Sequence, residues 1–227
     1  MQKTLERPRI PDLEPAIRQG KSIYLVNHVA VLDHAPVLCV DVDGTLLRTD
    51  LLFESLLALA KQKPWLLFLL PYWLMHGRAY LKRQLALEVL LYGTHLAIHQ
   101  PLLELLIAES VSGTRIVLCS GSDKYLVQTV ALEIGFPVEV IASEVTLNMT
   151  GKTKARVLVE RFGRRGFDYA GNASDDLPVW REARHAIVVN ASSRVQKAAE
   201  KQGNVTTVLP RSRSMVSAAL RATRPYQ

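Results

Sequence analysis

The chain has 227 residues, of which 48% are hydrophobic and 22% are charged, and its formal net charge is +7. The length suits one α/β domain with a sizeable insertion or two small domains, and the composition is that of an ordinary folded protein. A basic balance favours anionic partners: phosphorylated molecules, anionic lipid head groups or nucleic acid. The sequence carries neither an aromatic-rich basic stripe nor zinc-finger spacing, so we expect no nucleic acid partner.

The N-terminal region and the cysteines favour a cytoplasmic location. The polar N-terminal region as far as Asp12 contains two prolines and does not resemble a signal peptide. The only two cysteines, Cys39 and Cys119, lie in predicted buried strands. Buried thiols of this kind indicate a reducing compartment rather than a catalytic or metal-binding role.

The first predicted strand, residues 36–42, is a continuous apolar run that ends at Gly44. Residues 46–112 then follow a helical period of apolar positions without a clear strand pattern. A long helical block between the first and second strands is the pattern expected of an inserted cap domain.

Strands and helices alternate in the second half of the chain. We predict strands at 115–120, 138–141, 167–170, 185–189 and 205–209, and helices at 126–134 and 154–162. This alternation indicates the α/β class, with a three-layer, Rossmann-like parallel sheet and right-handed crossovers. The predicted organisation is an N-terminal extension (1–35), a core domain (36–47 and 113–210), a helical cap (48–112) and a basic tail (211–227).

Asp41 and Asp43 are separated by one residue at the carboxyl end of the first predicted strand. Alternate residues of a strand point the same way, so we expect both carboxylates to project into the region where ligands bind in open α/β sheets. Two close carboxylates repel each other unless a cation lies between them, and Mg²⁺ commonly accompanies phosphates. The backbone carbonyl of Val42 is a further expected ligand. The alternative is an acidic turn, because Asp-Gly pairs are common in turns.

Residues 41–47, Asp-Val-Asp-Gly-Thr-Leu-Leu, resemble the first motif of the haloacid dehalogenase (HAD) superfamily. The resemblance implies the HAD fold with a helical cap of the C1 type inserted after this motif. It also implies that Asp41 attacks phosphorus to form an aspartyl-phosphate, while Asp43 acts first as general acid and then as general base. Gly44 and Thr45 would bind the substrate phosphate.

Candidates for the second and third motifs of that superfamily follow in order. Ser120 ends the second predicted strand, and its hydroxyl and the backbone of Gly121 would bind phosphoryl oxygens, unless Ser120 is an ordinary turn serine. The third motif is a lysine, for which Lys154 is preferred over Lys152 because it begins the apolar helical pattern. Its ammonium would neutralise the nucleophile and the transferred phosphoryl group; the alternative is a solvated lysine at a helix start.

The fourth motif, Gly-Asp-x-x-x-Asp in the superfamily, is altered in this chain to Gly-Asn-Ala-Ser-Asp-Asp at residues 171–176. Asp176 matches the second acid, whereas Asn172 replaces the first. The side chain of Asn172 offers an oxygen without charge, so we expect weaker metal binding unless Asp175 compensates. The resemblance implies a Mg²⁺ cofactor with these ligands: Asp41, the Val42 carbonyl, Asp176 and Asn172.

A narrower resemblance covers residues 169–180, which are similar to HAD domains that precede membrane-embedded prenyltransferases of the UbiA type. Residues 220–227 resemble the approach to the first membrane helix of those transferases, or are an ordinary basic tail. The resemblance implies a UbiA-type transferase domain as a C-terminal partner. It implies a phosphorylated small molecule or a lipid-linked phosphosugar as substrate.

The apolar segment 64–75, Pro-Trp-Leu-Leu-Phe-Leu-Leu-Pro-Tyr-Trp-Leu-Met, is shorter than the roughly 20 residues that span a bilayer. Cations flank it on both sides: Lys61, Lys63, Arg78, Lys82 and Arg83. This composition suits a segment at a membrane interface, which we expect on the inner face of the cell membrane. A buried cap helix or a dimer contact fits the same residues, and the sequence leaves both interpretations open.

The four motifs in order predict a Mg²⁺-dependent phosphomonoester hydrolase that acts through an aspartyl-phosphate. The expected substrate is a polyprenyl-linked or sugar phosphate. Asn172 favours the alternative, a non-catalytic HAD-like regulatory or scaffold domain of a UbiA-type prenyltransferase.

Overall fold

The computed structural model describes residues 35–89, 96–144 and 149–210. The strands are β1 (Val37–Asp41), β2 (Arg115–Asp123), β3 (Glu139–Ser143), β4 (Asp168–Gly171), β5 (Ala186–Val189) and β6 (Val205–Leu209). They form one sheet in the order β3-β2-β1-β4-β5-β6, and every neighbouring pair is parallel. The predicted α/β class with a parallel sheet is confirmed.

The strand order reverses at β1, with β2 and β3 on one side and the remaining strands on the other. In open parallel sheets, ligands bind beyond the carboxyl ends of the strands where the order reverses. Asp41 is the last residue of β1 and Gly171 is the last residue of β4, and these two strands are neighbours. The first and fourth motifs therefore meet at the place where a ligand is expected.

Helices flank the sheet. Between β1 and β2 lie α1 (Leu51–Gln62), a 3₁₀ helix (Pro64–Leu69), α2 (Leu70–Met75), α3 (Arg78–Glu88) and α4 (Gln100–Val111), here called the inserted helices. The later connections contain α5 (Lys124–Ile134), α6 (Gly151–Phe162), α7 (Leu177–Glu182) and α8 (Ser193–Glu200). The inserted helices lie within the block predicted as helical, and Pro64 and Gly77 mark two of the breaks between them.

The sheet is buried on both faces, which explains the continuous apolar runs of its central strands. Along β1, Leu38 and Val40 belong to one hydrophobic cluster and Val37 and Cys39 to another, as the alternation of side chains in a strand requires. The first cluster includes residues of the inserted helices and α5, and the second includes residues of α6, α7 and α8. The inserted helices therefore share a core with the sheet.

Two element ends near the site differ from the sequence prediction by three residues. β2 continues past Gly121 to Asp123, because its ladder with β3 resumes at Asp123 and Ser143 after a register shift. α6 begins at Gly151 rather than at Lys154, so Lys154 lies inside the helix and is buried there.

The sequence prediction misses α7 and α8, which are short. Each nevertheless carries a helix-start signal. Pro178 lies in the first turn of α7, and the side chain of Ser192 accepts a hydrogen bond from the Val195 N–H ahead of α8.

Part of the predicted organisation cannot be compared with the structure. Residues 1–34 and 211–227 lie outside the described residues, and with them the resemblance of 220–227 to the approach of a membrane helix. The boundaries of the cap at 48 and 112 stay a prediction. Across the three described ranges, no helix is both long enough and apolar enough to cross a membrane.

Candidate active site

Asp41, the last residue of β1, is buried and accepts hydrogen bonds on both carboxylate oxygens. Its Oδ1 accepts from Lys154 Nζ at 2.6 Å, and its Oδ2 accepts from Thr45 Oγ1 at 2.9 Å. Lys154 reaches it from α6, and Thr45 from the turn that follows β1. The predicted lysine and the predicted nucleophile are in direct contact, whereas the competing candidate Lys152 is exposed.

Charge and burial oppose each other in this pair. Burial raises the pKa of Asp41 to about 7, although the Lys154 ammonium acts in the opposite direction. Burial lowers the pKa of Lys154, but Asp41 and Asp176 outweigh it and raise that pKa above its ordinary value. Lys154 is therefore a permanent positive charge beside Asp41, where a phosphoryl group would bring negative charge.

Asp43 lies in the turn beyond β1 and has different partners. Its Oδ2 accepts hydrogen bonds from the hydroxyls of Ser120 at 2.9 Å and Ser122 at 2.8 Å. Its Oδ1 accepts one from the backbone N–H of Leu51, the first residue of α1, at 2.8 Å. The two carboxylates that we expect to project together are thus held by separate sets of donors.

The structure adds a second serine to the motif at the end of β2. The hydroxyl of Ser120 accepts a hydrogen bond from the Ser122 N–H at 2.9 Å. A Cβ on Gly121, between them, would lie 2.7 Å from Thr150 Cγ2, so the close approach of the loop before α6 favours glycine. The sequence reasoning missed Ser122. Its spacing of two from Ser120 along an extended strand is the signal that could have found it.

Gly44 is the point where the turn after β1 touches residues that follow β4 and β5. Its φ is +75°, and a Cβ there would overlap Nδ2 of Asn172. The Gly44 carbonyl accepts a hydrogen bond from Asn190 Nδ2 at 3.2 Å, and Asn190 itself has a φ of 52°. A side chain at position 44 is therefore disfavoured both by the backbone conformation and by Asn172.

Asp176, predicted as the second acid of the fourth motif, is buried beyond the end of β4. Its Oδ2 accepts hydrogen bonds from the backbone N–H groups of Asn172 and Ala173 at 2.9 and 3.0 Å. Its Oδ1 accepts one from the Tyr169 hydroxyl at 2.7 Å. That hydroxyl in turn accepts a hydrogen bond from Lys154 Nζ at 2.9 Å.

Tyr169 is a site residue that the sequence reasoning missed. Burial and the neighbouring Asp176 carboxylate raise the pKa of Tyr169 well above its ordinary value, so the hydroxyl stays neutral and can donate. The hydroxyl contacts both Lys154 and Asp176. Lys154 Nζ and Asp176 Oδ1 themselves are 3.7 Å apart. An aromatic residue in a buried strand is expected in any core, so the sequence carries no signal for this role.

The carboxylates expected to bind Mg²⁺ are close to each other. Asp41 and Asp176 both contact the Lys154 ammonium, at 2.6 and 3.7 Å. In the part of the chain that the structure describes, no three His, Cys, Asp or Glu side chains are grouped to hold a metal. Two carboxylates still fit Mg²⁺, which binds proteins through one or two carboxylates and keeps several waters.

The other predicted metal ligands have contacts of their own. The Val42 carbonyl accepts a hydrogen bond from the Leu47 N–H at 2.9 Å within the turn after β1. The Asn172 side chain packs against Gly44. Asp175, the predicted substitute ligand, is exposed, whereas Asp176 is buried.

Two cations of α3 reach the rim of the site. Lys82 Nζ donates a hydrogen bond to the Gly121 carbonyl at 2.9 Å. Arg83 pairs with Asp123 at 3.4 Å, and its guanidinium lies 4.0 Å from the centre of the Tyr125 ring. The inserted helices thus add positive charge beside the serines of β2.

No family model matches the chain. It is 29% identical over 192 residues to the uncharacterized protein y4nM of Sinorhizobium fredii, a match that covers 81% of this chain and 37% of that protein. The chain therefore spans little more than a third of the length of this curated relative.

Solved structures share the fold at low sequence identity. A protein of unknown function from Bordetella pertussis Tohama I has a TM-score of 0.58 at 12% identity, over 78% of this chain and 100% of that one. Phosphoserine phosphatase in its apo form has a TM-score of 0.52 at 11% identity, over 82% and 98%. The HAD family hydrolase t0658 from Salmonella enterica serovar Typhi has 0.50 at 17%, over 71% and 65%. The chain shares its fold with these three proteins.

Proposed function

We propose that this chain hydrolyses phosphomonoesters, with Asp41 as the nucleophile. The observation that carries the proposal is the buried contact between Asp41 and Lys154 at the carboxyl end of β1. A carboxylate beside a fixed positive charge is suited to attack a phosphoryl group and to have the resulting charge stabilised. The same fold occurs in phosphoserine phosphatase.

In the first step, an oxygen of Asp41 attacks phosphorus and the bond from phosphorus to the leaving alcohol oxygen breaks. An aspartyl-phosphate forms on Asp41. As the proposed general acid, Asp43 donates a proton to the leaving oxygen and becomes a carboxylate. The hydroxyls of Ser120 and Ser122 keep Asp43 in position for this transfer.

In the second step, Asp43 takes a proton from a water molecule whose oxygen attacks phosphorus. The bond from phosphorus to the Asp41 oxygen breaks, inorganic phosphate leaves, and both acids return to their starting states. Lys154 stays protonated throughout and offsets charge on the phosphoryl oxygens. Thr45 and the backbone around Gly44 and Gly121 are the proposed phosphate contacts.

The proposed Mg²⁺ ligands are Asp41, Asp176, the Asn172 amide oxygen and the Val42 carbonyl. Mg²⁺ bound there would offset the negative charge of the substrate phosphate. Because Asn172 contributes no charge, the carboxylates of Asp41 and Asp176 would supply most of the attraction.

The proposed substrate is a polyprenyl-linked or sugar phosphate, and the proposed partner is a UbiA-type transferase domain. The support is the resemblance of residues 169–180 to the HAD domains that precede such transferases. The relative y4nM is much longer than the region matched by this chain, so y4nM has room for a further domain.

A second candidate is a non-catalytic scaffold or regulatory domain. Asn172 favours it, because the altered fourth motif leaves the site with fewer charged metal ligands. A Mg²⁺ titration distinguishes the two candidates. A hydrolase binds the ion and hydrolyses substrate, whereas a scaffold needs neither property.

The direct test is hydrolysis of p-nitrophenyl phosphate with Mg²⁺ by the wild-type chain, Asp41→Asn and Glu160→Gln. Glu160 is an exposed acid on α6, paired with Arg156, so its variant controls for the loss of one carboxylate charge. We expect Asp41→Asn to lose about a thousandfold or more in rate, and Glu160→Gln to retain wild-type activity.

Equal rates of hydrolysis for wild type and Asp41→Asn would show that Asp41 is not the nucleophile. No Mg²⁺-dependent hydrolysis by any of the three proteins, together with no Mg²⁺ binding, would favour the scaffold.

A further inference from the structure

The segment of residues 64–75 in the inserted helices has a buried side and an exposed side. Leu66, Leu67 and Leu70 are partly buried against the core cluster, and Trp73 is buried within it. The opposite side chains are exposed, and together they are here called the exposed apolar surface: Trp65, Phe68, Leu69, Tyr72, Leu74 and Met75. A segment in which one side packs on the core while the other remains open is expected to have a partner.

The exposure is large for side chains of this type. Phe68 and Met75 are each 86% exposed, and Trp65 is 62% exposed. Phe68 and Met75 therefore bury little apolar area within the described part of the chain.

The stretch of chain that contains the exposed apolar surface carries more positive than negative charge. Residues 51–89 contain five lysines and arginines but only two glutamates, and residues 64–75 contain no charged residue. Lys61 is exposed at the end of α1, and Lys63 pairs with Glu88 at 2.8 Å. A second copy of this surface would bring cations against cations, whereas an anionic surface would be attracted.

We propose that the exposed apolar surface docks onto an anionic lipid bilayer, with the segment lying in the head-group region. Twelve residues are too few to span a bilayer, which takes about 20, but they suit a segment lying along its surface. Tryptophan and tyrosine favour the boundary between head groups and acyl chains, and neighbouring cations favour anionic lipids.

The docking surface and the candidate active site are connected through α3. Tyr80 and Leu87 of that helix are exposed, while Lys82 and Arg83 reach Gly121 and Asp123 at the rim of the site. The inserted helices that would dock therefore include a helix, α3, that also contacts the rim of the site. The docking itself does not depend on the hydrolase proposal, and Asp41→Asn protein serves equally well to measure it.

The test is co-sedimentation of the whole chain with phosphatidylglycerol-containing vesicles and with pure phosphatidylcholine vesicles. The variant Phe68→Ser/Met75→Ser removes apolar groups from the surface. Val111→Ser is the control, because Val111 is 84% exposed but is not part of the exposed apolar surface. It is the last residue of α4, just before the amino end of β2.

We expect wild type and Val111→Ser to bind the anionic vesicles, and the double variant to bind at least about tenfold more weakly. Binding should decrease with added salt and be weak on phosphatidylcholine. Trp fluorescence of the wild type should shift to the blue on anionic vesicles. The proposal is overturned if wild type fails to bind, or if the double variant binds as tightly as Val111→Ser. It is also overturned if the wild type forms a concentration-dependent dimer that the double variant loses, since that outcome assigns the surface to a second copy.

Discussion

Lys154 Nζ lies 2.6 Å from Asp41 Oδ1 and joins residues that are 113 positions apart in the chain. Both side chains are buried, and each belongs to a different element, the first strand and the helix α6. The contact therefore ties the packing of α6 to the end of β1 as well as placing a positive charge at the candidate site. Loss of either partner leaves an unpaired charge in the interior, which is costly.

Replacing Lys154 with methionine should lower both stability and activity. The carboxylates of Asp41 and Asp176 would lose their shared cation, and we expect the free energy of unfolding to fall by about 3 kcal/mol. Urea denaturation measures this loss. Lys152→Met is the control on the same helix, because Lys152 is exposed, and it should change stability by less than about 0.5 kcal/mol. Similar losses in both variants would show that the buried ion pair is not the source of the effect.

Replacing Tyr169 with phenylalanine should disturb the site without leaving a large cavity in the core. The ring remains, but Asp176 Oδ1 loses a donor and Lys154 loses an acceptor. We expect a loss of about 1–3 kcal/mol in the free energy of unfolding and a lower rate of hydrolysis with an unchanged KM. Tyr72→Phe, at an exposed tyrosine, is the matched control and should match the wild type in both measurements. A normal rate for Tyr169→Phe would mean that Lys154 and Asp176 keep their positions without the hydroxyl.

Most of the fold could be predicted, and so could the positions of four candidate site residues, because each leaves a local pattern in the sequence. The apolar run before Asp41 marks a strand buried on both faces, and Ser120, Lys154 and Asp176 each lie near an end of a strand or a helix. Tyr169 was missed because its function depends on two residues that are distant in sequence and that only the fold brings together.

The exact position of α6 was also out of reach of the sequence. The helix begins at Gly151, so both Lys152 and Lys154 fall within it, and the apolar pattern that Lys154 begins, rather than the helix start, distinguishes the two. Lys154 is buried with Ala155 and Leu158, whereas Lys152 is exposed.

Ser122 should contribute to hydrolysis as much as Ser120 does. Both hydroxyls donate to Asp43 Oδ2, at 2.8 and 2.9 Å, so either change to alanine removes one of the donors that orient the proposed acid–base group. We expect each variant to lose about tenfold in kcat, measured on an aryl phosphate. Ser112→Ala, at an exposed serine whose hydroxyl donates to the Ala108 carbonyl, should leave kcat unchanged. If Ser122→Ala behaves like this control while Ser120→Ala is impaired, only Ser120 orients Asp43.

Replacing Asn172 with aspartate should strengthen the response of the protein to Mg²⁺. The new carboxylate has the size of the amide, so it fits against Gly44, and it adds a third acid near Asp41 and Asp176. Without metal, the added charge repels the other two, and we expect a lower melting temperature than in the wild type. With Mg²⁺ the repulsion is relieved, so the increase in melting temperature on adding the ion should be larger than in the wild type, with affinity higher by about tenfold or more. Asn172→Ala, which removes the amide without adding charge, should show the smallest increase. The same Mg²⁺-induced increase in all three proteins would place the ion away from residue 172 and contradict the proposed ligand set.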